Sequence, residues 1–300
     1  LRRHGLRIIQ AVNFALAFIT KQIKMKKYFL TGLVILLATV TASSQYYYKD
    51  ILNTAQLSAT LQTYKNNKIR NIDIKSFEND GTESEGFICR KKISKDYKTV
   101  SLFTKYSLSE PSLFISEFNT SGMLLYTNDS SNISVTSIHY QYDDNKRIKS
   151  IISVIRSQDD DFVNQIVEEH LYNYTEGNNP VQMLKIKNHK DTTVILFAND
   201  EHGNLAIEKD TRSGTKYYYY YDSNNRLTDV VQENDFKLRP MPDYFFEYGH
   251  DGNISKMTAT EEGSNNYYTW KYVYENGLRT VERCFLKGRS LVGSVEYIYK

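Results

Sequence analysis

The sequence predicts a mainly β protein. It reads as a single repetitive antiparallel meander of β-hairpins, forming a long, twisted or curled sheet, with one N-terminal helix. Three observations predict this. The 300 residues include 25 tyrosines and one tryptophan, and tyrosine suits strands because its flat ring packs on a pleated surface while the hydroxyl stays wet. An aromatic residue followed by a polar, turn-forming cluster recurs along the chain. Many of these aromatics are preceded by another two residues earlier, which is the strand period. At 40% hydrophobic and 24% charged residues the chain is a folded one rather than a disordered one.

The first 44 residues stand apart. Met25-Lys26-Lys27 precedes an apolar run from Tyr28 to Val40, and small and polar residues follow (Thr41, Ala42, Ser43, Ser44, Gln45). A basic start, a short apolar stretch and small residues together predict a secretory signal over 25–44, cleaved after Ala42 or after Ser44. The alternative, an uncleaved anchor, is disfavoured because the run is short for a membrane span. Residues 1–24 are expected to be an over-extended gene start, with translation beginning at Met25. The leader holds seven of the 38 Lys/Arg residues and no acid, which leaves 31 basic against 35 acidic side chains in the mature chain, a net charge of −4. A mildly acidic chain with mixed charge has no electrostatic case for nucleic acid. No later apolar run is long enough to cross a membrane, so no stable span is expected after cleavage. Export implies a periplasmic or extracellular location.

Residues 45–66 form a helical segment. Asp50 to Tyr64 places apolar residues at Ile51, Leu52, Ala55, Leu57, Leu61 and Tyr64, a helical spacing, with Asp50 as N-cap. Such a helix is expected to cover an edge or end of the sheet.

Residues 67–300 are one hairpin-repeat domain. The turn aromatics are Phe77, Phe118, Tyr142, Tyr174, Phe197, Tyr221, Tyr248 and Tyr274, spaced after the first step by 24, 32, 23, 24, 27 and 26 residues. Such an interval holds two strands and two turns. Asp80-Gly81, Asp251-Gly252 and Asn276-Gly277 are hairpin signals, because Asn, Asp and Gly tolerate positive φ. An apolar residue six positions after the aromatic (Leu124, Ile148, Leu227, Ile254) restarts the next strand. The pairs Tyr140/Tyr142, Tyr172/Tyr174, Tyr219/Tyr221, Phe246/Tyr248 and Tyr272/Tyr274 each occupy one face of a strand, and the favoured reading takes the resulting ladder as the core face. The inner member of each pair is expected to be at least as buried as the outer, whose hydroxyl sits at a strand end within reach of water or a backbone partner. The sharper reading makes part of the ladder a ligand platform for sugar rings or peptide, formed by Tyr219, Tyr221, Trp270, Tyr272 and Tyr274.

Tyr221-Asp222-Ser223-Asn224-Asn225-Arg226-Leu227-Thr228 resembles the YD repeat of bacterial RHS-type exported proteins. Tyr142-Asp143-Asp144-Asn145-Lys146-Arg147-Ile148 is similar, and Tyr248 to Ser255 matches a Gly-Asn-Leu-Thr variant of the pattern. The resemblance covers about 118 to 300 and implies long antiparallel sheets that wrap or encapsulate as scaffolds. This chain is far shorter than the RHS shells and shows no toxin domain, so its layout is closer to small exported members of that kind.

Residues with chemistry are sparse. There is no phosphate-binding Gly-rich loop, no His-Glu-x-x-His and no Gly-x-Ser-x-Gly. Of the six histidines only His170 has close acids, in Glu168-Glu169-His170. Glu168 and His170 share a strand face and could pair on a metal, but a solvated strand face is the favoured reading. Asp159-Asp160-Asp161 reads as an acidic turn rather than a calcium loop. Cys89 and Cys284 lie near opposite ends of the repeat series and can meet only if the sheet curls until its first and last hairpins approach. The expectation is therefore an exported, non-enzymatic scaffold or binding protein with no cofactor, whose partner is a protein or a cell-surface glycan. The alternative is a carbohydrate-binding module that uses exposed tyrosines.

Overall fold

The computed structural model describes residues 46–107, 109–158, 165–233, 242–261 and 266–300. The expected leader segments 1–24 and 25–44, and Asp159-Asp160-Asp161, lie outside them. The described chain opens with helix α1 (Tyr48–Asn66) and continues through strands only. These begin with β1 (Asn71–Glu78), β2 (Ile88–Ile93), β3 (Thr99–Lys105), β4 (Ser112–Phe118), β5 (Leu124–Ser130) and β6 (Ser134–Tyr142). Next come β7 (Ile148–Ser157), β8 (Gln165–Tyr174), β9 (Pro180–Lys187), β10 (Asp191–Asn199), β11 (Leu205–Asp210) and β12 (Lys216–Tyr221). The last are β13 (Leu227–Glu233), β14 (Pro242–Tyr248), β15 (Ile254–Thr260), β16 (Tyr267–Glu275), β17 (Leu278–Leu286) and β18 (Ser290–Tyr299).

Each strand pairs antiparallel with its neighbours in sequence. In addition β1 pairs with β18 along its length, from Ile72 opposite Tyr299 to Glu78 opposite Gly293. The meander therefore closes into an up-and-down barrel of 18 strands. The long, twisted or curled sheet expected from the sequence is thus a closed one, a point the sequence pattern left undecided. The physical reason is edge removal: β1 and β18 would each expose a row of backbone donors and acceptors, and each satisfies the other.

The alternation of each strand sets an inner and an outer face. In β12, Tyr217 and Tyr219 are buried, Tyr218 between them is half-buried, and Tyr220 beyond them is 53% exposed. Tyr172, Met183, Ile195, Leu205, Tyr217, Tyr219 and Val230 form the core with Tyr46, Tyr47, Tyr48 and Ile51 of the N-terminal segment. The outer face carries charge along the strands: Lys75 lies opposite Glu296, Lys271 opposite Arg283, and Lys256 pairs with Glu247 at 2.6 Å.

The turn clusters after Phe118, Tyr142, Tyr174, Phe197, Tyr221, Tyr248 and Tyr274 all join an even strand to the next odd one, so they share one end of the barrel, the turn end. The cluster after Phe77 joins β1 to β2 at the far end. Phe77 is one residue out of phase with the others: Ser76 is the buried position and Phe77 faces outward. In the other repeats a β-bulge flanks the turn, with the register shifting at Glu117/Phe118, Gln141/Tyr142, Asn173/Tyr174, Ala198/Asn199, Tyr220/Tyr221, Glu247/Tyr248 and Val273/Tyr274. In the loosest repeat Asn199 takes the turn-aromatic place and Phe197 the inner one.

Two features make each turn. Asp222 Oδ1 accepts the amides of Asn224 and Arg226 at 2.9 and 3.0 Å, and Asp143 Oδ1 does the same for Asn145 and Arg147 at 3.0 and 2.8 Å. The residue before the arginine is left-handed, Asn225 at φ 57° and Lys146 at φ 64°, a place where the motif prefers glycine. The arginine then returns to the aspartate, Arg226 Nε to Asp222 Oδ2 at 2.8 Å, and its guanidinium lies over the turn tyrosine of the next hairpin. Arg147 covers Tyr174 and Arg226 covers Tyr248, each at 4.4 Å from the ring centroid.

Between hairpins the backbone ladder stops short of the turn end. The β7–β8 ladder ends at Ser150 opposite Leu171, and the β11–β12 ladder at Ile207 opposite Tyr218. Tyrosine hydroxyls bridge the open stretch. Tyr142 donates to the Leu124 carbonyl at 2.7 Å, Tyr174 to Ile148 at 2.9 Å and Tyr221 to Leu205 at 2.9 Å. Tyr248 donates to Leu227 at 2.7 Å and Tyr299 to Arg279 at 2.6 Å. The acceptor is in most cases the apolar residue that restarts the preceding strand.

The helix extends two residues beyond the expected range at each end. Its N-cap is Tyr47, which makes no side-chain cap bond. Asp50 as N-cap is thus corrected: three consecutive tyrosines bury inside the barrel and start the helix earlier. At the other end Tyr64 meets the Tyr299 ring at 6.4 Å and accepts a bond from Lys91 Nζ at 3.3 Å. Because β8–β12 and β17–β2 are opposite walls, the 19-residue helix, about 28 Å long, spans the interior at the turn end rather than covering an edge.

Cys89 and Cys284 are buried and free. Closure does bring the first and last hairpins together, but β18 and β1 lie between β2 and β17. Three strand spacings put the two thiols about 14 Å apart along the wall, beyond disulfide reach.

Tyr172 and Tyr219, at 4% and 3% exposed, are more buried than their turn partners Tyr174 and Tyr221, whereas Tyr140, Phe246 and Tyr272 are half-buried like Tyr142, Tyr248 and Tyr274. Tyr219→Ala is expected to cost about 3–5 kcal/mol, read as a lower urea midpoint with the far-ultraviolet strand signal retained below the transition.

Candidate functional site

The densest set of ionisable side chains inside the barrel lies where the N-terminal segment docks. On β8, Glu168, His170, Tyr172 and Tyr174 alternate inward. His170 Nδ1 is 2.7 Å from Asp50 Oδ2 and its Nε2 is 3.0 Å from Glu168 Oε1. The Tyr172 hydroxyl donates to the same Asp50 oxygen at 2.9 Å. Lys185 on β9 donates to the Tyr47 hydroxyl at 2.9 Å and lies 3.5 Å from Glu168. The Tyr47 ring stands edge-on to His170, with centroids 5.4 Å apart.

One strand pair further, Glu208 on β11 supplies the cap the helix lacks. Its Oε1 accepts the Tyr47 amide at 2.7 Å, and its Oε2 accepts the Tyr48 amide at 2.9 Å and the Tyr219 hydroxyl at 2.9 Å. A carboxylate here meets otherwise orphaned helix donors and the positive end of the helix dipole. Tyr46 completes the anchor, its ring 5.8 to 5.9 Å from those of Tyr217, Tyr219 and Tyr244.

Burial and pairing set the protonation states. Burial pushes the Glu208 carboxyl up to about 7, although the Tyr47 and Tyr48 amides and the Tyr219 hydroxyl pull the other way. For His170 burial pulls the imidazolium down, but Asp50 and Glu168 outweigh it and hold its pKa up at about 9. Burial raises Glu168, yet His170 and then Lys185 carry it below its ordinary value. The network is thus an imidazolium between two carboxylates, next to a carboxyl that titrates near neutrality.

Glu168 and His170 were expected on a solvated strand face; they face the interior instead. Both ring nitrogens of His170 are taken by carboxylates, so the geometry is that of an ion pair and not of a metal pair. The signal that could have found this is the alternation itself, because His170 shares its face with Tyr172 and Tyr174. Glu208 was not singled out from the sequence. The bulge between Leu205 and Glu208 breaks the alternation that would have marked it as inward.

The five aromatics read as a ligand platform all line the interior, on two walls. Tyr219 and Tyr221 are on β12; Trp270, Tyr272 and Tyr274 are on β16, four strand spacings or about 19 Å along the sheet. Tyr219 is held by Glu208. Trp270 is buried between Met257 and Cys284 on the neighbouring strands, and its indole Nε1 has no partner among the described residues. The Arg279 guanidinium lies 4.2 Å from the Tyr272 ring, donates to the Tyr274 hydroxyl at 3.2 Å and pairs with Glu282 at 2.8 Å. A ligand reaching Trp270, Tyr272 or Tyr274 would enter the barrel, whereas Tyr219 and Tyr221 also border a cleft between β11 and β12.

No protein-family model matches the chain, and no curated protein does. Among solved structures, the chain is similar to a porin-like protein from Bacteroides uniformis, at 10% identity and a TM-score of 0.38, over 77% of this chain and 98% of that one. It is also similar to the TcdB2-TccC3 structure, at 10% identity and a TM-score of 0.26, over 79% of this chain and 17% of that one. A third is the Tc holotoxin pore of Photorhabdus luminescens, at 11% identity and a TM-score of 0.23, over 72% and 14%.

The anchor makes stability depend on pH with a defined sign. The Glu208 pKa rises from 4.5 to about 7 on folding, so its contribution is full below 4.5 and is lost as pH rises through about 7. The His170 pKa rises from 6.5 to about 9, so its contribution is full below 6.5 and is lost through about 9. Glu168, whose pKa is lowered from 4.5, stabilises above 4.5 and loses this as pH falls through its depressed value. Thermal melting is expected to peak at about pH 4.5, fall through about 7 as the Glu208 contribution is lost, and fall further towards pH 10 as that of His170 is lost. Glu208→Gln is expected to flatten the decline between 4.5 and 7 and leave the later one. A melting temperature that rises from pH 6 to pH 9 contradicts this assignment.

Proposed function

We propose that the protein is an exported, non-enzymatic binding scaffold: a closed hairpin-repeat barrel held in shape by its own N-terminal helix. The observation that carries this reading is how the side chains are allotted. Glu168, Glu208, Glu282, His170 and Arg279 engage the helix segment or the barrel wall. The outer wall carries charged residues in the middle of strands, among them Lys75, Arg90, Lys271, Arg283 and Glu296. A wall facing lipid needs an apolar band about 25 Å tall, and these charges suit water better. Among the described residues no helix is long and apolar enough to cross a membrane. The signal pattern over 25–44 supports export to the periplasm or medium, and the Tyr-Asp turns support kinship with YD-repeat scaffolds. We assign the repeat domain to 67–300, with 45–66 as its inserted helical segment.

A second reading, carbohydrate binding, is favoured by a set of tyrosines other than the inner stripe. Tyr218 and Tyr220 point outward on β12 beside a cleft.

Export and solubility are tested together. Protein recovered from the periplasm or medium without detergent, with an intact mass that begins after Ala42 or Ser44, is the expected result. A mass that includes residues 30–42, or recovery only in detergent, overturns the proposal.

A further inference from the structure

A break in the outer wall lies at the seam between β11 and β12. The ladder there pairs only Ile207 with Tyr218, Glu208 with Tyr217 and Lys209 with Lys216. Beyond it, towards the turn end, the strands part and leave an outward cleft of about 630 Å³. Ala206 and Ile207 line one side; Tyr218 and Tyr220, two residues apart and facing outward, line the other. The turns after β10 and β12 close the rim, where Asn204 Nδ2 donates to Asn225 Oδ1 at 3.1 Å and ties the two turns together.

The chemistry of this lining selects a class of ligand. Tyr220 offers an exposed ring face at 53% exposure, with no cross-strand neighbour on the β11 side. Tyr218 is held in place by its hydroxyl bond to Glu233 at 2.7 Å. The rim acids are already engaged: Asp222 by Arg226 at 2.6 Å, and Asp200 by the amides of His202 and Asn204 at 2.9 and 2.8 Å. What remains for a ligand is aromatic surface together with the His202 ring, the Ser223 hydroxyl, the Asn204 amide oxygen and the Asn225 amide nitrogen, the other halves of the two amides being bonded to each other and to Asp200. A flat apolar face ringed by such groups suits a pyranose, whose C–H face stacks on a ring while its hydroxyls meet the amides. The nearby carboxylates disfavour an anionic sugar.

We propose that this outward cleft binds a neutral saccharide, with Tyr220 as the stacking ring and Asn204 and Asn225 as hydroxyl partners. The proposal rests on the binding-scaffold reading and adds the ligand class and the place.

The test is a nuclear magnetic resonance titration of the full mature chain with neutral trisaccharides: cellotriose, maltotriose and chitotriose. At least one is expected to shift the amides of Ala206, Tyr220 and Asn225 at millimolar concentration. Tyr220→Ala is expected to weaken that binding at least about tenfold, 1.4 kcal/mol, with an unchanged melting temperature because the ring is exposed. Tyr220→Phe, which keeps the stacking face, and Phe103→Ala, at an exposed ring near the far end, are expected to bind like the parent. No shift at the cleft with any of the three sugars, or undiminished binding by Tyr220→Ala, overturns the site. Neither result touches detergent-free export, so the scaffold reading stands or falls separately.

Discussion

A hydroxyl-to-carbonyl bond at the end of five hairpin seams is the interaction on which this barrel depends. At every Tyr-Asp turn a bulge, with its extra residue just after the turn at Lys149 or Thr228, bends the strand, and the backbone ladder to the neighbouring hairpin stops several residues short of the turn end. Left alone, that gap would leave a half-buried carbonyl at the restart residue with its hydrogen bond unmade. The turn tyrosine fills it, because its ring crosses the gap on the inner face and its hydroxyl reaches the carbonyl of Leu124, Ile148, Leu205 or Leu227. The arginine of the earlier turn then covers the ring from outside. One motif thus makes a turn, seals a seam and stacks on its neighbour, which explains why the residue types recur together. The same bond at Tyr299 seals the last seam, between β17 and β18, next to the β18–β1 pairing that closes the barrel.

Closure creates an interior, and the helix fills its turn end. Buried ionisable groups are costly unless paired, and the anchor pairs them: Glu208 takes helix amides, His170 sits between Asp50 and Glu168, and Lys185 reaches Tyr47. The partners are far apart in sequence, so the anchor forms only once the β8 to β12 wall has assembled. Removing one partner is expected to cost more than the bond itself, because the other is left buried and charged.

Much of this was legible in the sequence, for local reasons. The strand period in Tyr172/Tyr174 or Tyr219/Tyr221 marks an inner face, and the Asp-to-Arg spacing marks the turns. Helix α1 was visible in Ile51, Leu57 and Leu61. Closure was not, since the pairing of Ile72 with Tyr299 joins residues more than two hundred positions apart and no local pattern records it. His170 was placed in solvent because its charged neighbours were weighed above its phase with Tyr172. Glu208 was hidden by the bulge after Leu205. The two cysteines show how little separates reach from contact: closure brought their hairpins together and still left two strands between them.

The most direct test of the seam bond replaces Tyr142, Tyr174, Tyr221 and Tyr248 by phenylalanine, singly and together, and follows urea unfolding with amide exchange. Each ring stays in place and only the hydroxyl is lost. Each replacement is expected to cost about 0.5–1.5 kcal/mol, adding across the four well-separated seams, with faster exchange confined to the turn end of the affected hairpins. A quadruple variant that unfolds at the parent's urea midpoint, with unchanged exchange there, would contradict the claim that these hydroxyls hold the hairpins together.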